Sequence, residues 1–92
     1  VPWEWDAAKN AQNIRIRGLS FARVAELTDV DVLPDERRAY GEVRYVVRGF
    51  LAGRLHIAII TPRGTDTLRV ISFRRANARE RKRYVEAIRP RR

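Results

Sequence analysis

The sequence predicts an α+β domain, and three observations carry that expectation. Apolar residues recur at helical spacing over residues 7–27, alternate with polar ones over residues 42–74, and return to a helical pattern after Asn77. Turn-forming residues separate these tracts: Gly18, Pro34, Ala52-Gly53, and Pro62 with Gly64. A length of 92 residues suits one small core, so residues 1–92 are read as a single domain.

Residues 2–5, with Trp3 and Trp5 on one face, suit a first edge strand and a hydrophobic lid. Asp6 is a good N-cap for a helix carrying Ala7, Ala8, Ala11 and Ile14, which Gly18 ends in the C′ position. On this helix Lys9, Asn13, Ile16 and Arg17 share one face, which spacing alone reads as solvated. Ser20 caps a second helix over residues 21–27, with Phe21, Val24, Ala25 and Leu27 as its stripe. A brief strand over residues 30–33 and an exposed loop over residues 34–41 follow.

The period then becomes two. Residues 42–50 put Val43, Tyr45 and Val47 on one face and Arg44, Val46 and Arg48 on the other. The Ala52-Gly53 turn leads into a central, isoleucine-rich strand over residues 54–61, and a second turn into a strand over residues 67–74. In that last strand Leu68, Val70 and Ser72 oppose Arg69, Ile71 and Phe73. Asn77 and Glu80 form a capping-box pair opening the final helix. Its Val85 and Ile88 face the core with Tyr84 beside them, while Arg79, Lys82, Arg83 and Glu86 lie outside. Residues 89–92 read as a basic tail that frays. The expected fold is an antiparallel sheet with two N-terminal helices and one C-terminal helix.

Composition narrows the chemistry. Without cysteine and with one histidine, the sequence excludes a disulfide scaffold, a zinc finger, an iron–sulfur site, a cysteine nucleophile and a multi-histidine metal centre. Neither a metal nor a cofactor is expected. No stretch resembles a signal peptide or a membrane span, so the expectation is a cytoplasmic protein with no membrane partner. Twenty Lys and Arg against eleven Asp and Glu give a net charge of +9. The last 19 residues hold nine of the bases and two of the acids, whereas residues 26–36 hold five acids and no base. Arginine outnumbers lysine eighteen to two. Its planar fork grips phosphate oxygens bidentately, which suits a nucleic-acid surface. A GC-rich genome explains the Arg:Lys ratio equally well, but not the clustering.

Arg69, Ser72, Arg74 and Arg75 crowd the last strand and its exit, with Glu80 and Tyr84 one and two turns into the next helix. A basic sheet edge meeting a basic helix makes a phosphate-tracking groove. Glu80 is otherwise explained by capping and a pair with Arg83, and Tyr84 by packing on the sheet. His56, flanked by Leu55 and Ile57, reads as a hydrogen-bonded structural residue.

Four stretches together resemble the BrnT-type toxins, RelE-like ribonuclease halves of bacterial toxin–antitoxin pairs. Trp5-Asp6 with Lys9 and Asn13, then Gly18, Ser20 and Phe21, are similar to that family's W-D-x-x-K-x-x-x-N…G-x-S-F opening. Gly41-Glu42 with Arg44, Tyr45 and Gly49 follow the G-E-x-R-[WFY] pattern. Arg69, Ile71, Ser72, Arg74 and Ala76 follow R-x-I-S-x-R-x-A, and Glu80-Arg81 with Tyr84 the E-R-x-x-Y close.

The resemblance implies a RelE-like fold, metal-independent RNA cleavage that blocks translation, and neutralisation by a ribbon-helix-helix antitoxin of the BrnA type. Operator DNA would be met only through the antitoxin complex. On that template Arg44, Arg69 and Arg74 bind the phosphate and its transition state. Glu80 is a base or an orienter of those arginines, Tyr84 an acid, and Lys9 an acid or phosphate ligand. Arg17, Arg75, Arg79, Lys82 and Arg83 form the RNA-binding surface. One departure stands out: Ile16-Arg17 replaces the lysine-histidine pair of the family's K-H-G. A guanidinium holds charge but does not shuttle protons at neutral pH. The alternatives are a non-cleaving RNA- or DNA-binding module and a protein whose basic surface mainly docks an antitoxin.

Overall fold

The computed structural model describes residues 2–89, so residues 90–92 of the basic tail lie outside the described residues. In chain order come β1 (Trp3–Trp5), α1 (Ala7–Arg17), a 3-10 helix (Phe21–Glu26), β2 (Thr28–Pro34), β3 (Tyr45–Leu51), β4 (Arg54–Arg63), β5 (Thr67–Arg75) and α2 (Ala78–Ile88). The strands form one sheet in the order β1-β5-β4-β3-β2. The α+β class holds, but the sheet is mixed rather than antiparallel, because β1 runs parallel to β5. Among the described residues no helix is long and apolar enough to cross a membrane.

Only one α-helix precedes the sheet's main strands. The expected second helix is the six-residue 3-10 helix, in which Arg23 N–H donates to the Ser20 carbonyl and Leu27 N–H to that of Val24. The tighter winding aligns residues three apart, so Phe21 and Val24 both enter the core before the chain turns into β2. β2 itself is longer than the brief strand expected. β3 in turn starts at Tyr45 rather than residue 42, because its partner β2 ends at Pro34. The last ladder bond there runs from Asp35 N–H to the Arg44 carbonyl. Gly49 is where β2 is entered: a Cβ there would stand 3.0 Å from Val30 Cγ2 and 3.1 Å from both Leu27 Cβ and the Thr28 carbonyl oxygen. Only a glycine admits the chain so close.

Two apolar clusters lie on opposite sheet faces. Leu19, Phe21 and Val24 pack with Val47, Leu51, Ala58, Ile60, Val70 and Phe73, and Trp3 and Trp5 border this cluster as the expected lid. On the other face Leu55, Ile57, Ala76 and Tyr84 pack with Val46 and Phe50. α2 docks through Tyr84, edge-on to Phe50 at 5.6 Å between centroids. Val85 and Ile88, expected to face the core, are 50% and 58% exposed. α2 turns Glu80 and Tyr84 to the sheet, and Val85, the next position after Tyr84, is rotated about 100° away from that face.

α1 buries no residue fully, and Ile14 is half exposed. Its attachment is polar. Asn10 Oδ1 accepts from Phe21 N–H at 2.8 Å, and Asn13 Nδ2 donates to the carbonyls of Leu19 and Phe73, each at 2.9 Å. Asn13 is therefore part-buried rather than on a solvated face. It satisfies a β5 carbonyl beyond the reach of β1, which pairs only with residues 68–70.

Candidate functional site

A bulge in β5 assembles the site. Ile59 pairs with Ser72 but the next β4 residue, Ile60, pairs with Val70, leaving Ile71 as an extra residue. Strict alternation, with Ser72 on the side of Leu68 and Val70, therefore fails beyond the bulge. Val70 and Phe73 both enter the core, while Ser72 and Arg74 stand opposite Ile59 and Ile57 on the far face. Arg69, opposite Thr61 and beside Glu4, shares that far face.

There Arg74 meets Glu80 of α2. Arg74 Nη1 and Nη2 donate to Glu80 Oε1 and Oε2 at 2.7 and 2.8 Å, and Asn77 N–H donates to Oε1 at 2.9 Å. The Arg74 guanidinium, with lesser help from the Asn77 amide, holds the Glu80 carboxyl at about 2. A carboxylate so stabilised is a poor proton acceptor. Glu80 accordingly holds Arg74 through both Nη groups.

A second arginine joins from the loop over residues 34–41. That loop is exposed apart from Asp35, which is buried, and Tyr40, which is half-buried. Asp35 accepts from Arg37 Nε and Nη2 at 2.8 Å each and from the Tyr40 hydroxyl at 3.2 Å. Arg37 holds the Asp35 carboxyl at about 2. Arg37, Ser72, Arg74 and Glu80 line one depression of about 250 Å³ over an apolar floor of Val46, Ile57 and Ile59. The charge of Arg37 reaches Arg74 and opposes it. Two forks, each braced by a carboxylate and facing one space, are an arrangement for an anion. Sequence reasoning missed Arg37; its only local signal was the Pro34-Asp35-x-Arg37 turn.

The other candidates fall around this pair. Lys9 lines a neighbouring depression with Asn13, Arg17, Ile71 and Ser72, so Ser72 borders both spaces. Arg44 lies 4.2 Å over the Tyr40 ring and pairs with Glu42 at 2.9 Å, buttressing the loop that carries Arg37. Arg69 is bound to Glu4 at 3.5 Å, away from the Arg74 depression. Tyr84 does not line that depression either; its ring is buried against Phe50, with the Arg48 guanidinium 5.1 Å above it. Arg79, Lys82 and Arg83 are exposed on α2, and Arg83 adds to the positive field on Glu80. Arg17 and Arg75 line a separate depression at the sheet's end. Among the described residues no cluster of three His, Asp or Glu side chains could hold a metal.

Comparison with known proteins bears on this geometry. A search of curated proteins returned no match. Among solved structures, the crystal structure of the Brucella abortus ribonuclease toxin, BrnT, is similar with a TM-score of 0.65 and 28% identity, covering 84% of this chain and 99% of that one. The sequence matches the family described as ribonuclease toxin, BrnT, of type II toxin–antitoxin system over residues 5–80, which run from the end of β1 through the β5 bulge to Arg74 and Glu80. The chain thus belongs to the BrnT family of ribonuclease toxins of type II toxin–antitoxin systems.

Proposed function

We propose that this chain cleaves RNA in the depression between Arg37 and Arg74, using the ribose 2′-hydroxyl as nucleophile and no metal. The observation that carries this reading is the pair of carboxylate-braced guanidiniums facing one anion-sized space. The 2′-oxygen bonds to phosphorus as its proton passes to solvent water, the bond to the 5′-oxygen breaks, and negative charge builds on the phosphoryl oxygens in between. Preorganised donors stabilise that charge without having to reorganise during the reaction. Glu80 and Asp35 hold the forks in place, and both are spent on arginine rather than free to bind a cation. In this reading Lys9, which borders the depression on the other side of Ser72, protonates the leaving oxygen, and Arg69 with exposed Arg79, Lys82 and Arg83 contacts flanking phosphates. Arg17, which borders the same depression as Lys9, adds positive charge there.

In the cell this reading entails degraded transcripts, blocked translation in the cytoplasm, and a ribbon-helix-helix antitoxin of the BrnA type covering the arginines. The antitoxin would carry any contact with operator DNA. The fold is read as RelE-like.

The test is purified chain with RNA in the presence of a chelator. Cleavage with 2′,3′-cyclic phosphate ends is expected, and Arg74→Ala should lose about 10²-fold or more in rate. Intact RNA, a requirement for added metal, or full activity in Arg74→Ala would overturn the proposal.

A further inference from the structure

Largely on the other face of the sheet, by the hairpin that joins β3 to β4, lies a second basic depression of about 370 Å³. Arg17 comes to it from the end of α1, Arg23 from the 3-10 helix, Arg54 from the β3–β4 hairpin and Arg75 from the end of β5. No carboxylate lines it. Among the described residues Arg17, Arg54 and Arg75 form no ion pair, and Arg23 has only a long, exposed pair with Glu26 at 3.4 Å. This contrasts with Arg37, Arg44, Arg48, Arg63, Arg69 and Arg74, each set against an acid. Four cations gathered from four elements repel one another, and among the described residues only the exposed Glu26, through Arg23, offsets that repulsion. An external anion would.

His56 completes the lining. Its Nδ1 lies 2.8 Å from the Arg54 carbonyl, which can only accept, so Nδ1 carries the hydrogen. In the neutral ring Nε2 is then a lone-pair acceptor. Among the described residues no buried side-chain nitrogen lacks a partner, so Nε2, which has none within the protein, meets the depression. The ring is held in place against Phe73, 5.6 Å between centroids. It offers an acceptor to a protonated phosphate oxygen.

We propose that this depression is a phosphate-binding site distinct from the Arg37–Arg74 pair, filled by one phosphate group of a nucleic-acid strand or by the free anion. The site depends on no step of cleavage, so a chain unable to cut RNA would still fill it. Because the sequence holds one histidine, the His56 ring gives a single set of NMR signals in the untagged protein. Titration with inorganic phosphate is expected to move those signals saturably. Arg54→Gln and Arg75→Gln should each weaken binding about tenfold. Arg15→Gln, which removes the same charge from the outer surface of α1, should leave it unchanged. A 5′-phosphorylated deoxyoligonucleotide, which cannot be cleaved through a 2′-hydroxyl, identifies the source. Tighter binding than inorganic phosphate marks a strand phosphate, and no tighter binding marks the free anion. Unmoved His56 signals, or an Arg15→Gln effect equal to that of Arg54→Gln, would overturn the proposal.

Discussion

Replacing Glu80 by Gln isolates the charge that braces Arg74. Glutamine can still accept from the Asn77 N–H, so the capping box survives and only the anionic clasp on Arg74 is lost. The Glu80 carboxyl falls from 4.5 to about 2, equivalent to about 3 kcal/mol of stability at neutral pH. Part of that belongs to the retained cap, and both partners are partly solvated, with side chains 23% and 32% exposed. The expected loss at pH 7 is therefore about 1–2 kcal/mol. Its sign with pH follows from the depressed value. The contribution of Glu80 is fully present above about 4.5 and disappears as pH falls toward 2. Urea unfolding of both proteins at pH 7 and pH 3 reads the difference directly. Asp35, also held at about 2, titrates in both proteins and cancels. At pH 3 the deficit of the variant should be less than half its neutral value. A deficit that stays constant from pH 7 to pH 3, or none at pH 7, would refute the claim that charge on Glu80 holds Arg74.

Two further substitutions test the scaffold beneath the site. Asn13→Ala removes both hydrogen bonds that tie α1 to Leu19 and β5, and thermal or urea unfolding should show a loss of about 2–3 kcal/mol. A loss below about 0.5 kcal/mol would mean that α1 is held by other contacts. Gly49→Ala drives a Cβ against the Thr28 carbonyl and the Leu27 and Val30 side chains, so destabilisation of about 1–3 kcal/mol is expected. Unchanged stability would show that residues 27–30 yield freely.

Local signals in this sequence translated directly into structure where neighbours along the chain settle the matter. Asp6 and Gly18 bound α1 as capping chemistry requires, with Gly18 at φ 66°. The Ala52-Gly53 hairpin turn has positive φ at both residues, 51° and 75°, as a two-residue connection between twisted strands demands. Asn77 and Glu80 close their capping box. The motifs around Arg69–Ala76 and Glu80 also mark the family to which the chain belongs.

What spacing did not convey lies between distant segments. The length, the basic end of the chain, the absence of cysteine, the turn positions and the helix caps follow from sequence because each depends on composition or on residues a few positions apart. The parallel β1–β5 pairing, the inward face of α2 and the polar docking of α1 were set by tertiary packing. So was the union of Arg37 with Arg74, which are 37 residues apart in the chain and joined only when β3, β4 and β5 align. The β5 bulge is the decisive case. One unpaired residue, Ile71, reverses the alternation that the sequence suggests and puts Ser72 and Arg74 on the face of Glu80. Strand register answers to the pairing and packing of the whole sheet, and no local pattern encodes it.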